Sequence, residues 1–262
     1  MKTTTEDIKK IGFEAGADLV GVCDAETLRA ADPEADAEKF LRGARSIVIA
    51  AVADPPYIAS AEDTQVYSRL AYPGYLKADG AAASMRAALE QDGFMTCRVE
   101  REATHAFARN GLPSKTLPIK KAAELAGMGT IGLNQLLITP EYGPRVRMSA
   151  FITDATLEAG KPLDGALCDN CGACVRNCPA GAIREDDTFG AVQCSAYMFG
   201  GLNMSDFRGS AERPSLDLVR ENIERIGAAA AGWLASFSEG RRLFYYCGAC
   251  IRLCNGHERN KI

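Results

Sequence analysis

The sequence predicts mixed helices and strands up to residue 160, followed by a small cysteine-dense unit. Two observations carry this. Helical and extended patterns alternate before residue 160, an α/β layout. Of the ten cysteines, eight lie after position 167. A chain of 262 residues, 47% hydrophobic and 24% charged, buries a real core without staples. A net charge of -4 argues against a nucleic-acid binder held by phosphate neutralisation. The strongest apolar stretch, Ile47 to Ala53, is too short to cross a bilayer. The N-terminal residues show neither an apolar signal core nor twin arginines, so the expected location is the cytoplasm, with no membrane partner.

Taken in order, Thr4 or Thr5 caps a helix bearing Ile8, Ile11 and Ala15 on one face, with Gly16 as its stop. Asp18 to Cys23 and Ser46 to Val52 read as buried strands. Ala78 to Gln91 is a helix with Ala82, Met85 and Leu89 at helical spacing and Gly93 as its stop. Phe94 to Val99 is a further strand. Thr116 caps a helix with Pro118 in its first turn and Ile119, Ala122, Ala123 and Ala126 on its face. Leu136 to Thr139 and Val146 to Thr153 are extended, and residues 161–165 form the linker into the cysteine-rich unit.

Cys23 and Cys97 stand in apolar stretches and read as buried structural thiols. The other eight form a pattern. Cys168, Cys171, Cys174 and Cys178 follow C-x2-C-x2-C-x3-C, with Pro179 next; Cys247, Cys250 and Cys254 repeat C-x2-C-x3-C, and Cys194 stands between. Disulfides suit small secreted domains, and zinc suits C-x2-C pairs. The x2, x2, x3-C-P run is instead that of bacterial ferredoxins, whose fourth cysteine ligates the other cluster. The count then closes on two [4Fe-4S] cubes. Cys254 completes the set of Cys168, Cys171 and Cys174, and Cys178, Cys194, Cys247 and Cys250 make the second. Small residues between ligands (Gly172, Ala173, Gly248, Ala249) let backbone N–H groups turn toward cluster sulfurs.

Gly127, Gly129 and Gly132 spell G-x-G-x-x-G, but a helix precedes them and an extended run follows. A dinucleotide site needs the reverse order, so this is not one. The loop still permits close approach of backbone to a flat ligand; the plain alternative is a helix C-cap and turn.

The run KKAAELAGMGTIGLN at 120–134 resembles the central motif shared by epoxyqueuosine reductases and reductive dehalogenases. LITPEYGPRVR at 137–147 and ITD at 152–154 are closer to the dehalogenase version, and GARSIVI at 43–49 matches the family's early strand. The resemblance implies an α+β fold, an α/β sandwich: a nitroreductase-like, corrinoid-binding domain over 1–160, then a ferredoxin-like domain with two [4Fe-4S] clusters over 161–262. It implies cobalamin bound base-off, against Gly127, Gly129, Thr130, Ile131, Gly132 and Asn134. The only histidines, His105 and His257, stand in no corrinoid-ligand pattern.

Departures accompany the likeness. Lys115 stands where epoxyqueuosine reductases carry an acidic proton donor, and a lysine serves there only with a lowered pKa. Dehalogenases use a tyrosine beside a basic residue, and Tyr72 and Tyr75 lie in the corresponding segment, so Tyr75 and Lys115 are the candidate proton donors. A packing tyrosine with a wet hydroxyl is the plain alternative, and Arg145 and Arg147 read as surface or salt-bridged residues. Neither a helical-repeat tail nor a twin-arginine signal is found in these residues, and the acidic charge makes tRNA an unsuitable partner.

Three functions fit. The first is a cobalamin-dependent reductase acting on a small-molecule substrate, fed by an electron donor such as a ferredoxin or flavodoxin. The second is an electron carrier or reductive activator for a separate corrinoid protein. The third is an iron–sulfur oxidoreductase whose N-terminal domain holds another ligand or none.

Overall fold

The computed structural model describes residues 3–99, 117–186, 188–190, 193–194 and 247–254. Helix α1, Thr5–Glu14, starts where Thr4 accepts the Asp7 N–H at 3.2 Å while the Asp7 carboxylate accepts the Thr4 N–H at 2.9 Å. This reciprocal pair is a capping box with Asp in the usual Glu place. The Thr4 hydroxyl, which donates to the Asp7 carboxylate at 2.6 Å, and the Thr4 N–H hold the Asp7 carboxyl below its ordinary value. Gly16, at φ +96°, turns the chain out of the helix.

Four strands then form one antiparallel sheet in the order β1-β2-β6-β3, with β1 at Leu19–Asp24, β2 at Ser46–Ala53, β3 at Thr96–Val99 and β6 at Val146–Thr153. The central pair β2–β6 is covered on both faces, which is why Ile47 to Val52 reads as an unbroken apolar run. Ile47, Ile49, Ala51, Ala150 and Ile152 point to one layer, and Val48, Ala50 and Phe151 to the other. The first layer is closed by α2, Ala25–Ala31, and α4, Ile119–Leu125; the second by α1 and α3, Thr64–Gln91. The result is the expected α/β sandwich.

Three differences from the sequence reading have local causes. Asp24 accepts the Thr27 N–H at 2.8 Å and starts α2, a helix that periodicity alone did not reveal. Helix α3 begins at Thr64 rather than Ala78 and runs through Pro73. An interior proline costs about 3 kcal/mol; burial of Tyr67 and Ala71 offsets it. Pro118, not Thr116, occupies the N-cap of α4, and Thr116 lies outside the described residues.

After α4 comes a small two-stranded sheet of β4, Thr130–Ile131, and β5, Leu137–Ile138. The stretch expected as a linker runs along the sandwich: the Gly160 N–H donates to Val22 O at 2.9 Å, and the Leu167 N–H donates to Thr130 Oγ1 at 2.9 Å. Two one-turn helices follow, α5 at Ala173–Arg176 and α6 at Ala249–Arg252, in contact with each other. No helix among the described residues is long and apolar enough to cross a membrane.

Candidate iron–sulfur and cofactor site

The two short helices grow from one repeated sequence. Cys171-Gly172-Ala173-Cys174 and Cys247-Gly248-Ala249-Cys250 are identical, and each continues through an aliphatic residue and an arginine to another cysteine, Cys178 or Cys254. Gly172, at φ +69°, adopts a left-handed conformation that few other residues tolerate. The Ala182 N–H donates to the Cys178 sulfur at 3.3 Å, the type of bond that stabilises a sulfur carrying cluster charge.

Burial and mutual charge group the thiols. Burial, then Cys168 and Cys254, hold the Cys174 thiol above its ordinary value. Burial, then Cys247 and Cys178, push Cys194 up to about 11. Cys250 is pushed up by burial, then by Cys247, Cys194, Cys178 and, from the other set, Cys174. Thiols that disfavour one another's ionisation in a half-buried pocket suit a cationic iron core, which ligates thiolates and relieves their repulsion. Among the described residues no three Cys, His, Asp or Glu side chains converge as ligands on a single ion. A cube spreads its four thiolates over separate irons and needs no such convergence.

The glycine segment lies beside the first set. Ile131 and Gly132 line a cavity of ≈ 740 Å³ together with Lys121, Glu124, Cys168 and Cys171. The volume is that of small-molecule and cofactor sites. Its amide and charged lining suits a corrin, whose rim carries amides. Glu124 accepts the Ile131 N–H at 2.8 Å and pairs with Lys121 at 2.8 Å, which stiffens this wall. The remaining residues expected to contact a corrin have partners within the chain. A Cβ on Gly129 would overlap the Ile138 carbonyl, and one on Gly127 the Lys161 carbonyl. Thr130 receives the Leu167 N–H, and Asn134 receives the Leu136 N–H at 3.2 Å. Substitutions at Gly127 or Gly129 therefore probe internal packing before any ligand.

Tyr75, half-buried on α3, lines a separate cavity of ≈ 140 Å³ with Lys120, Leu136, Arg147 and Ile251. Lys115 lies outside the described residues, as do His105 and His257. Arg147 is buried and salt-bridged, the second of the two readings open to it. Its Nε and Nη2 donate to the two Asp54 carboxylate oxygens at 2.9 and 2.5 Å. Its Nη2 also donates to the Tyr67 hydroxyl at 2.6 Å, and the guanidinium lies 5.6 and 5.4 Å from the Tyr67 and Tyr75 ring centres. Asp54 and Tyr67 are the members of this site that sequence reasoning missed. The available signal was Arg147 itself, a lone cation in an apolar strand that demands a buried anion.

A 4Fe-4S binding domain model matches residues 162–184. An epoxyqueuosine reductase of Listeria monocytogenes is 40% identical over 76 residues, 29% of this chain and 20% of that protein. That of Bacillus cereus is 27% identical over 168 residues, 61% of this chain and 41% of the relative. Among solved structures, the Streptococcus thermophilus epoxyqueuosine reductase superposes with a TM-score of 0.58 at 18% identity, covering 97% of this chain and 66% of its own. A catabolic reductive dehalogenase gives 0.56 at 21% identity over 74% of this chain and 29% of its own. The chain has the fold shared by epoxyqueuosine reductases and reductive dehalogenases. It spans less than half the length of these two curated relatives.

One expectation is corrected here. Net acidity does not make tRNA an unsuitable partner, because an epoxyqueuosine reductase of this fold has been crystallised with a tRNA-Tyr stem loop. Net charge sums over the whole surface, whereas a stem loop meets one face of it.

Proposed function

We propose that this chain is an iron–sulfur reductase with two [4Fe-4S] clusters, one on Cys168, Cys171, Cys174 and Cys254, the other on Cys178, Cys194, Cys247 and Cys250. The clusters would supply single electrons to a cobalamin, which the segment from Gly127 to Asn134 would hold. When bound, the corrinoid supplies a strongly reducing metal centre for cleaving a carbon–halogen or epoxide carbon–oxygen bond. The observation that supports this is that a cysteine-bearing turn borders each cavity: Ile251, next to Cys250, lines the small one with Tyr75, and Cys168 and Cys171 line the larger one with Ile131 and Gly132. Ile131, Gly132 and the Lys121–Glu124 pair orient the cofactor's rim. Leu136 and Ile251 give the Tyr75 cavity its apolar side. Replacing a carbon–halogen bond by carbon–hydrogen takes up two electrons and one proton and releases halide, whereas reducing an epoxide takes up two electrons and two protons, the second from water. The Tyr75 Oη or, in its place, the Lys115 Nζ delivers the first. A well-placed acid contributes about 10²–10⁴-fold.

Purified without oxygen, the chain should contain about eight iron atoms. Cys254→Ser should damage the first cluster and Cys178→Ser the second, and hydroxocobalamin should give a base-off spectrum. Tyr75→Phe should lower turnover about 10²–10⁴-fold with iron and cobalamin content unchanged. Substrates to compare are an organohalide, a small epoxide and an epoxide-bearing tRNA stem loop. Stoichiometric zinc with little iron would overturn the cluster assignment. A wild-type chain that turns over none of these yet reduces a separate corrinoid protein is the activator instead.

A further inference from the structure

We propose that Asp54, Arg147 and Tyr67 form a mount for the iron–sulfur site on Cys178, Cys194, Cys247 and Cys250. Tyr67 is the positioning residue that seats the Cys247–Cys250 turn, and the ion pair behind it sets the reduction potential of that site. The inference rests on the two-cluster reading and adds a controlling residue set outside the ligands.

The contact is direct. A Cβ on Gly248 would overlap the Tyr67 ring, so the turn between Cys247 and Cys250 is shaped to lie on that ring. Tyr67 is 1% exposed and packs in one apolar cluster with Ile251 and Cys250. Its hydroxyl oxygen is fixed by the Arg147 bond of 2.6 Å, and no described residue accepts its own proton. A buried phenol ordinarily finds an acceptor. The cluster side is where electron-rich sulfur becomes available.

The charge order is equally specific. The Arg147 guanidinium is bonded to the Tyr67 hydroxyl and to both Asp54 oxygens, so it stands between the carboxylate and the tyrosine and the pair presents its positive end toward the turn. Gly74 makes this possible: a Cβ there would stand 2.9 Å from Arg147 Cγ, and its absence lets α3 close over the guanidinium. Cluster potentials respond to net charge, hydrogen bonds to sulfur and solvent exposure, and this mount controls all three from one side. The thiols of the first set share no such buried cation among the described residues.

The test is a redox titration of the full chain, reconstituted without oxygen, with each cluster followed by its paramagnetic resonance signal. Tyr67→Phe should keep about eight irons. It should lower the reduced fraction of the second cluster about tenfold at a fixed potential, a shift of about 59 mV to lower potential for one electron. The first cluster should not move. Asp54→Asn leaves the arginine charge unbalanced and should shift the second cluster the other way. Gly248→Ala should lose the iron of the second cluster alone. If Asp54→Asn fails to fold, Tyr67→Phe decides. Two intact clusters with an unchanged second potential, or both potentials shifted alike, overturn this inference and leave the two-cluster reading standing. A wild-type chain with only about four irons overturns both.

Discussion

A guanidinium 5% exposed inside strand β6 survives only because two carboxylate oxygens meet it. Removing one partner of such a pair strands the other. Arg147→Met leaves the Asp54 carboxylate buried and alone, and should cost about 3–5 kcal/mol. Asp54→Asn combined with Arg147→Met removes both charges and should recover much of that loss, a non-additivity that denaturant unfolding of the apo chain would reveal. If the double variant is as unstable as the sum of the singles, the pair is not coupled as its geometry implies. Tyr75 reaches its proposed role through the same arginine, since its ring lies 5.4 Å from the guanidinium carbon.

Helices α1 and α2 each start at a single polar side chain, Thr4 and Asp24, and the value of such a cap can be measured. Thr4→Ala removes the acceptor for the Asp7 N–H and should cost about 1 kcal/mol, seen as a lower denaturation midpoint. The cap also predicts a pH dependence. Asp7 is held below the ordinary value of 3.8, so its contribution is complete above that value and lost as pH falls through the lower folded value. Asp7→Asn should flatten stability against pH on the acid side and leave the neutral region parallel to wild type. At the same scale, α3 shows why a pattern stops short. Pro73 and Gly74 break the helical signal, yet the turns before them carry Tyr67 and Ala71 into one buried cluster with Ile251 and Cys250.

At the scale of the molecule, we propose two domains, 1–160 and 161–262, joined more closely than a free linker would join them. Among the described residues of the second domain the repeated Cys-Gly-Ala-Cys turns have no strand ladder to hold them, only one-turn helices and an isolated bridge between Ile183 and Phe189. Its order should therefore depend on iron, whereas the sheet rests on buried aliphatic layers. Removing iron with a chelator should abolish protection of the 168–182 amides from hydrogen exchange and leave those of β2 and β6 protected. Equal loss in both regions would show a single cooperative unit.

The sequence by itself determined the parts governed by local chemistry. Strand β2 follows from an apolar run, α1 from a capping threonine, and the 4Fe-4S binding domain over 162–184 from the spacing of its cysteines. The glycine segment was legible as a turn beside a ligand-sized space, though not the reason for its glycines, which lies in the carbonyls of Ile138 and Lys161 packed against it. Only the tertiary structure decided that Asp54, Tyr67 and Arg147 meet. They stand 13 and 80 positions apart along the chain, and no local pattern encodes such a meeting. It comes from the antiparallel pairing that sets Val52 beside Arg147, and from the helix that lays Tyr67 across both the arginine and Gly248. Burying a charge is tolerable only where the whole fold brings its partner, so a buried ionic site is the last thing a sequence discloses.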